Sequence, residues 1–334
     1  MNTLFPVLIA DIGGTFTRLA LLDGKEEAPR LIAKFKTADY PNPQTAFKTV
    51  LAQSPDEKPN SALLAVAAPV GNAPVHLTNA AWWIDPQKIG EALGLAQVKL
   101  INDFPPIAAV LPHLDQNNPH DLISLGPKAS QDGGPMLVLG PGTGLGAAVL
   151  RRIDTHELIE PTEAGHIEFG ASRADELALW PFLERQDGRH TAESLLCGAG
   201  ITRLYQGLTR QKGAPAPTID VAQITQAALA GEQQAVDCLT LYTRLLGRYA
   251  GDLALVFGAT GGVYISGGIA PRIVPLLSNG TFREGFEDKA PFSAMIKTIP
   301  TYVVTRPDPA LFGLARLASD PDRYWINSQS WSRT

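Results

Sequence analysis

The sequence predicts a two-domain α/β protein. Apolar strand patterns alternate with helical patterns through the N-terminal third, which is the signature of sheets covered by helices. The chain has 334 residues, enough for about two domains at roughly 150 residues each. A plan of apolar strand, glycine turn and apolar strand also occurs twice, over Val7–Leu22 and again over Met136–Leu150. The recurrence suggests one such hairpin per domain, although two glycine turns can also resemble each other by chance.

The elements follow in order. Val7–Ile12, Arg18–Leu22 and Leu31–Phe35 read as strands separated by turn residues. A helical pattern covers Pro43–Leu51. Ala62–Ala68 is a continuous run of small apolar residues, as expected of a strand buried on both faces. Asp85-Pro86 is an N-cap acid followed by proline, so a helix should start there. Val98–Ile101 is a short strand that runs directly into Asn102-Asp103. Asp115–Gly134, rich in Asn, Pro, Asp and Gly, marks the neighbourhood of a domain boundary. Beyond residue 172 helices dominate: Ala174–Leu183, Ala192–Leu196, Ile219–Ala230 and a long pattern over Gln233–Phe257. Gly261–Ser266 and Tyr302–Thr305 are late strands, and Ala310–Leu317 a last helix. The residues after Ser319 show no periodicity and are expected to form a docked or loose extension.

Composition narrows the function classes. Apolar residues make up 45% and charged ones 18%, which excludes general disorder. A net charge of -5 provides no basic field for nucleic acid or anionic lipid. Cys197 and Cys238 are too few for a disulfide framework or a zinc finger, which fits a reducing cytosol. No apolar run approaches the roughly 20 residues of a membrane helix. The opening residues lack the basic region of a signal peptide. A cytoplasmic protein without membrane or nucleic-acid partners is expected.

Several short motifs have residue types suited to phosphate and sugar chemistry. Asp11-Ile-Gly-Gly-Thr15 ends a strand. Paired glycines let backbone N–H groups approach an anion, and a carboxylate just before them is useful if a hydrated Mg²⁺ lies between it and the phosphates. A plain hairpin turn is the alternative. Gly142-Thr143-Gly144 has the same logic without the acid, and Gly267-Gly268 in Ile265–Arg272 would let a flat ligand lie against backbone, or simply form a strand-to-helix turn. Asn102-Asp103, at a strand's carboxyl end, offers a general base beside an orienting amide, or else a helix N-cap. Glu163-Ala-Gly-His166 sets an acid and an imidazole where both can face one ligand, or forms a solvated loop. Glu193, in Thr191-Ala-Glu193 at the start of a helix, can bind a ligand or simply favour the helix dipole.

The ordered series of these motifs, with Arg18-Leu-Ala20, Asn102-Asp-Phe104, Gly142–Gly146, Gly261-Gly262, Ser266–Ile269, Phe286-Glu-Asp-Lys289 and Asn79 in Leu-Thr-Asn, resembles the bacterial glucokinase family of the actin/hexokinase-like ATPase superfamily. The resemblance spans roughly residues 5–318. It implies a duplicated ribonuclease-H-like fold with a cleft between domains. A small α/β domain would cover 1–112, with a C-terminal helix at about 302–318 packing back on it. A large α/β domain would cover 113–301, and 319–334 would be a tail. It implies ATP-dependent phosphorylation of D-glucose at the 6-hydroxyl, at the entry to glycolysis, by a homodimer that uses ATP and Mg²⁺.

Position by position, the resemblance makes Asp103 the catalytic base, and Asn79, Asn102, Asp103, Glu163, His166 and Glu193 the sugar ligands. Ala10, Asp11, Ile12, Gly13, Gly14, Thr15, Gly142, Thr143, Gly144, Gly267 and Gly268 become the nucleotide contacts, with Asp11 holding Mg²⁺ through water. Phe16 departs from the family pattern, in which asparagine commonly follows Gly-Gly-Thr. The chemistry suits the residue types, since carboxylates, an amide and an imidazole can pair a ring of hydroxyls as donors and acceptors. Phosphoryl transfer needs positioning, charge neutralisation and one base. The rival readings are a kinase for another hexose or amino sugar, a sugar-sensing regulator of the repressor–ORF–kinase group, and a chaperone- or filament-type ATPase. Against the regulator, no helix-turn-helix pattern precedes residue 7 and a multi-cysteine zinc motif is missing.

Overall fold

The computed structural model describes residues 3–53, 58–71, 74–77, 80–128 and 133–333. Two units separate by their internal packing: residues 1–113, 150–161 and 307–334 form the first, and 114–149 with 162–306 the second. Residues 150–161 lie inside the span expected of the large domain, yet they cluster with the first unit.

The first unit is built on a six-stranded sheet. Its order is Gln329–Ser332, Gln97–Asn102, Ser61–Val66, Val7–Ile12, Phe16–Leu22 and Arg30–Lys36. The middle three strands run parallel, and their register aligns Ile12 with Val66 and Val66 with Asn102. The carboxyl ends of these strands therefore share one edge. All six residues of Ser61–Val66 are buried, as its unbroken apolar run requires. One sheet face packs Leu8, Leu64, Val98 and Leu100 with Phe47 and Ile89 from helices Pro43–Ala52 and Pro86–Leu93. Those helices begin where capping chemistry dictates. Asn42 Oδ1 accepts from Thr45 N at 2.8 Å, and Asp85 Oδ1 accepts from Gln87 N at 3.0 Å. The other face carries Phe104–Val110 packed on Pro309–Ser319.

In the second unit the strand order is Leu145–Ile153, Met136–Pro141, Gly262–Ile265, Thr301–Val304 and Leu122–Ser124, the far half of the first of these passing into the first unit. The three central strands are parallel. The 25-residue helix Gln233–Phe257 is the spine of the core, burying Leu239, Tyr242, Leu246 and Leu253. Buried Glu176 meets Arg248 at 2.8 Å and Arg244 at 3.5 Å, which ties helix Ala174–Leu179 to that spine. Cys197 and Cys238 are both free and buried, and burial pushes both thiols up.

One expectation changes, and the choice between a docked and a loose tail is decided. The C-terminal segment expected as a helix over about 302–318 is divided. β-branched Val303 and Val304 continue a strand, and the helix starts only at Pro309. The residues after Ser319 are docked. Tyr324–Ile326 pairs in parallel with Glu157–Ile159, and Gln329–Ser332 covers the edge of Gln97–Asn102 in antiparallel register.

Trp331 fixes that last strand by packing directly against Gly90. A Cβ at Gly90 would fall 2.0 Å from Trp331 Cζ3, so only glycine permits the approach. Gly90→Ala should destabilise the chain by about 1–3 kcal/mol through overpacking. In a Trp331→Ala background the same change should instead be neutral or stabilise by up to about 1 kcal/mol, the helix-propensity difference. Denaturant unfolding of the four chains checks this, and equal destabilisation in both backgrounds would mean that the tail is not seated on the helix.

Candidate functional site

In the first unit the glycine turn and Asp103 lie along the shared carboxyl edge. Asp11 aligns with Ala65, and Ala65 with Ile101, so the turn strand and the Asn102 strand are two strand spacings apart, about 10 Å. The turn is tightly held. Gly13 N donates to Phe16 O at 3.0 Å, and Thr37 Oγ1 donates to Gly13 O at 2.7 Å. Thr37 N donates to Thr15 O at 3.0 Å. Ala10 and Ile12 are buried strand residues that set the position of Asp11 between them. Phe16 is exposed, with the Lys34 ammonium 5.7 Å above its ring.

Asp11 lies 3.1 Å from Arg18 Nη1, and Arg18 Nε lies 2.7 Å from Asp308 Oδ1. The Asp11 side chain retains 20% exposure. Burial raises its pKa above the ordinary 3.8; Arg18 opposes that rise and Asp308 adds to it. Asp308 itself has φ 46°, an uncommon left-handed conformation for a residue with a side chain. It brings a carboxylate from the start of the last helix to the turn. Arg18 entered the sequence reading only as motif, and Asp308 not at all. Their pairing is long-range and leaves no local signal.

Asn102 and Asp103 divide two jobs. Asn102 Oδ1 accepts from Phe104 N at 3.0 Å, and its Nδ2 donates to Ala68 O at 3.1 Å. Asp103 occupies the N-cap position of Phe104–Val110 but makes no side-chain capping hydrogen bond. Pro105 and Pro106 lack the N–H groups that an N-cap side chain would accept from, and the Phe104 N–H goes to Asn102.

In the second unit the motifs gather around Leu145. Glu193 Oε2 accepts from Leu145 N at 2.8 Å, and a Cβ on Gly144 would lie 2.5 Å from that same oxygen. Glycine at 144 is what lets the carboxylate reach the turn. Gly142 N donates to Gly144 O at 2.8 Å, and Gly198 N to Gly142 O at 2.9 Å. Gly165 lies directly against Leu145 O, bringing the turn Ala164–His166 onto the same strand. Tyr249 donates to Ala164 O at 2.6 Å from beneath, and burial raises its pKa, keeping it a donor. Glu163 Oε2 and His166 Nε2 are 3.8 Å apart and both about 60% exposed. Gly267 abuts Pro141 O, whereas Gly142 and Gly268 face open space that no packing accounts for. Thr143 sits exposed at the tip of its turn.

Phe286 is core, and Lys289 pairs with Asp252 at 3.1 Å, so this signature is structural. Asn79 lies outside the described residues. No helix among the described residues is long and apolar enough to cross a membrane.

A family model described as glucokinase matches residues 8–321. The chain belongs to the glucokinase family. A glucokinase of Sinorhizobium medicae is 40% identical over 333 residues, 98% of this chain and 97% of that one. The crystal structure of a glucokinase from an Antarctic psychrotroph is 34% identical, covers 95% of this chain and 100% of its own, and superposes with a TM-score of 0.82. A glucokinase of the ROK family from Streptomyces griseus, solved with glucose and AMPPNP, shares the fold at 19% identity with a TM-score of 0.62, over 93% of this chain and 98% of that one. The fold is that of the actin/hexokinase-like ATPases. The chain is a sugar-phosphorylating kinase.

The raised pKa of Asp11 gives a stability test for this glucokinase-family turn. Ionisation of Asp11 costs folded-state stability, and the cost is absent below the unfolded value of 3.8 and grows as pH rises through the folded value. Asp11→Asn should therefore melt at or above the wild-type temperature at neutral pH in magnesium-free buffer. The gain should vanish as pH falls through 3.8. Thermal scans across pH decide it, and a variant less stable at pH 7 than at pH 3 relative to wild type would show that Asp11 is a structural ion pair.

Proposed function

We propose that this chain transfers the γ-phosphoryl group of ATP to the 6-hydroxyl of D-glucose, giving glucose 6-phosphate and ADP, with Asp103 as general base. The observation that carries the reading is at the end of Gln97–Asn102. Asn102, not Asp103, satisfies the helix start, and Asp103 stands at the carboxyl edge of the parallel strands, where ligands of open α/β sheets bind. Family membership supports the nucleoside triphosphate as donor.

In this reading Asn102, Glu163, His166 and Glu193 contact the sugar, with Asn79 adding a further contact. The 6-hydroxyl gives its proton to the Asp103 carboxylate as its oxygen bonds to the γ-phosphorus and the bond to the ADP oxygen breaks. Backbone N–H groups of Gly13, Gly14 and Thr15 and of Gly142, Thr143 and Gly144 carry phosphate charge. Gly267 and Gly268 border the nucleoside.

Mg²⁺ fits the first turn. The residues described contain no cluster of three acidic, His or Cys ligands. A cation that keeps most of its waters and binds phosphate oxygens needs only one carboxylate nearby, and partly exposed Asp11 supplies it. When bound, the cation neutralises charge on the transferring phosphates. Asp308 gives Arg18 a second partner, so Asp11 is not the sole anion for that guanidinium. The reading extends through family likeness to a cytoplasmic homodimer acting at the entry to glycolysis.

Asp103→Asn keeps shape and removes the base. Its kcat with ATP and glucose should fall by roughly 10²–10⁴-fold, the usual worth of a positioned base, with KM and melting temperature little changed. Coupled ADP-release assays over a panel of hexoses, with and without Mg²⁺, should show glucose as the preferred acceptor. A folded Asp103→Asn chain with near-normal kcat would remove Asp103 from the mechanism. Preference for another hexose would overturn the substrate assignment alone.

A further inference from the structure

At the opposite ends of the same parallel strands, the first unit holds a cavity of about 100 Å³ that none of the chemistry above uses. Val7, Ser61–Leu63 and Gln97–Lys99 form its floor at the amino-terminal ends of the strands. Leu317 and Ala318 of the last helix form one wall, and Tyr324, Ile326 and Ser330 of the docked tail form another.

Lys99 is the only ionisable ammonium or carboxylate lining the cavity among the described residues. Val98 and Leu100 turn into the core beneath helices Pro43–Ala52 and Pro86–Leu93, so strand alternation directs Lys99 to the cavity face. None of the ion pairs or hydrogen bonds among the described residues involves its ammonium group. Burial lowers its pKa from 10.5 with no charged group opposing or reinforcing the effect. A partly buried cation without a counter-charge is a cost that the fold leaves uncompensated.

The rest of the lining is of two kinds. Hydroxyls of Thr3, Ser61, Tyr324 and Ser330 provide polar contacts, and Ser61 Oγ is oriented by donating to Leu4 O at 2.7 Å. Val7, Leu63 and Leu317 provide an aliphatic surface. The volume is several times the roughly 10–15 Å³ that one water needs, enough for a very small organic acid.

We propose that this cavity is a binding site for a small aliphatic monocarboxylate, its carboxylate on Lys99 Nζ and its hydrocarbon against Leu63 and Leu317. A single ammonium matches a single negative charge, and the aliphatic wall has nothing to offer the more highly charged and fully polar inorganic phosphate. The site is separate from the strand edge bearing Asp11 and Asp103, so it does not depend on the identity of the phosphoryl acceptor.

The test uses the full chain labelled with ¹³C at lysine Cε, titrated by NMR with butyrate, butyramide or inorganic phosphate. The Lys99 resonance, assigned by its loss in Lys99→Met, should shift saturably with butyrate in the millimolar range expected of so small a ligand. Its titration midpoint should move upward as the carboxylate stabilises the ammonium. Butyramide and phosphate should leave it unmoved. Saturation transfer to butyrate should disappear in Lys99→Met and in Lys99→Gln, both of which should remain folded because a partly buried unpaired charge has been removed. A Lys99 signal indifferent to butyrate, or butyrate contacts that persist in either folded variant, would overturn the proposal. Equal response to butyramide would refute charge recognition, and a stronger response to phosphate would refute the monocarboxylate class.

Discussion

The parallel register that sets Ile12, Val66 and Asn102 side by side is the constraint on which the rest of the first unit depends. Each strand stops at the same edge, so a glycine turn from one and an aspartate from another emerge along that edge, two strand spacings apart. A slip of one residue in either pairing would turn the apolar residues of Ser61–Val66 through the sheet and carry Asp11 and Asp103 to opposite faces. The in-register pairing of Ser61–Val66 with Val7–Ile12 on one side and Gln97–Asn102 on the other holds these residues in place. The last strand adds to this hold, because Gln329–Ser332 closes the free edge of the strand that ends in Asn102. A tail far away in sequence thus steadies the strand that presents the proposed base.

In the second unit the corresponding pivot is Leu145. Its N–H is taken by Glu193, its carbonyl meets the turn that carries Glu163 and His166, and it follows Gly144 directly. Three motifs scattered over some fifty residues of sequence become one cluster because a single strand residue serves them all. The same contact ties Glu193 to the glycine turn. A change at the proposed sugar contact Glu193 would be felt in the proposed phosphate turn through one hydrogen bond.

The parts of this architecture governed by local patterns were legible in the sequence. Val7–Ile12, Ala192–Leu196 and Gln233–Phe257 have the bounds that their apolar periodicity predicts, and Asp85-Pro86 starts a helix as capping chemistry requires. Phe104-Pro-Pro106 ends the strand and opens a helix, since prolines are tolerated in a first turn that Asn102 caps. The tail was illegible because Gln329–Ser332 is polar but for Trp331; what makes it a strand is the open edge it meets, not its own composition. Asp308 escaped notice for the same reason. Its neighbours mark a helix start, and only the folded chain brings it to Arg18 and the Asp11 turn. The motif residues themselves were visible as chemistry, but the sequence left Asp103 poised between base and cap; Pro105 and Pro106, which offer a cap no N–H, and the bond from Phe104 N to Asn102 separate the cap from the proposed base.

The most direct test of that separation is a crystal structure of the wild-type chain with glucose, Mg²⁺ and a non-hydrolysable ATP analogue. The account predicts the glucose 6-hydroxyl within about 2.6–3.2 Å of an Asp103 carboxylate oxygen, while Asn102 keeps its bond to Phe104 N. A 6-hydroxyl directed at another side chain, with Asp103 turned away from it, would contradict it.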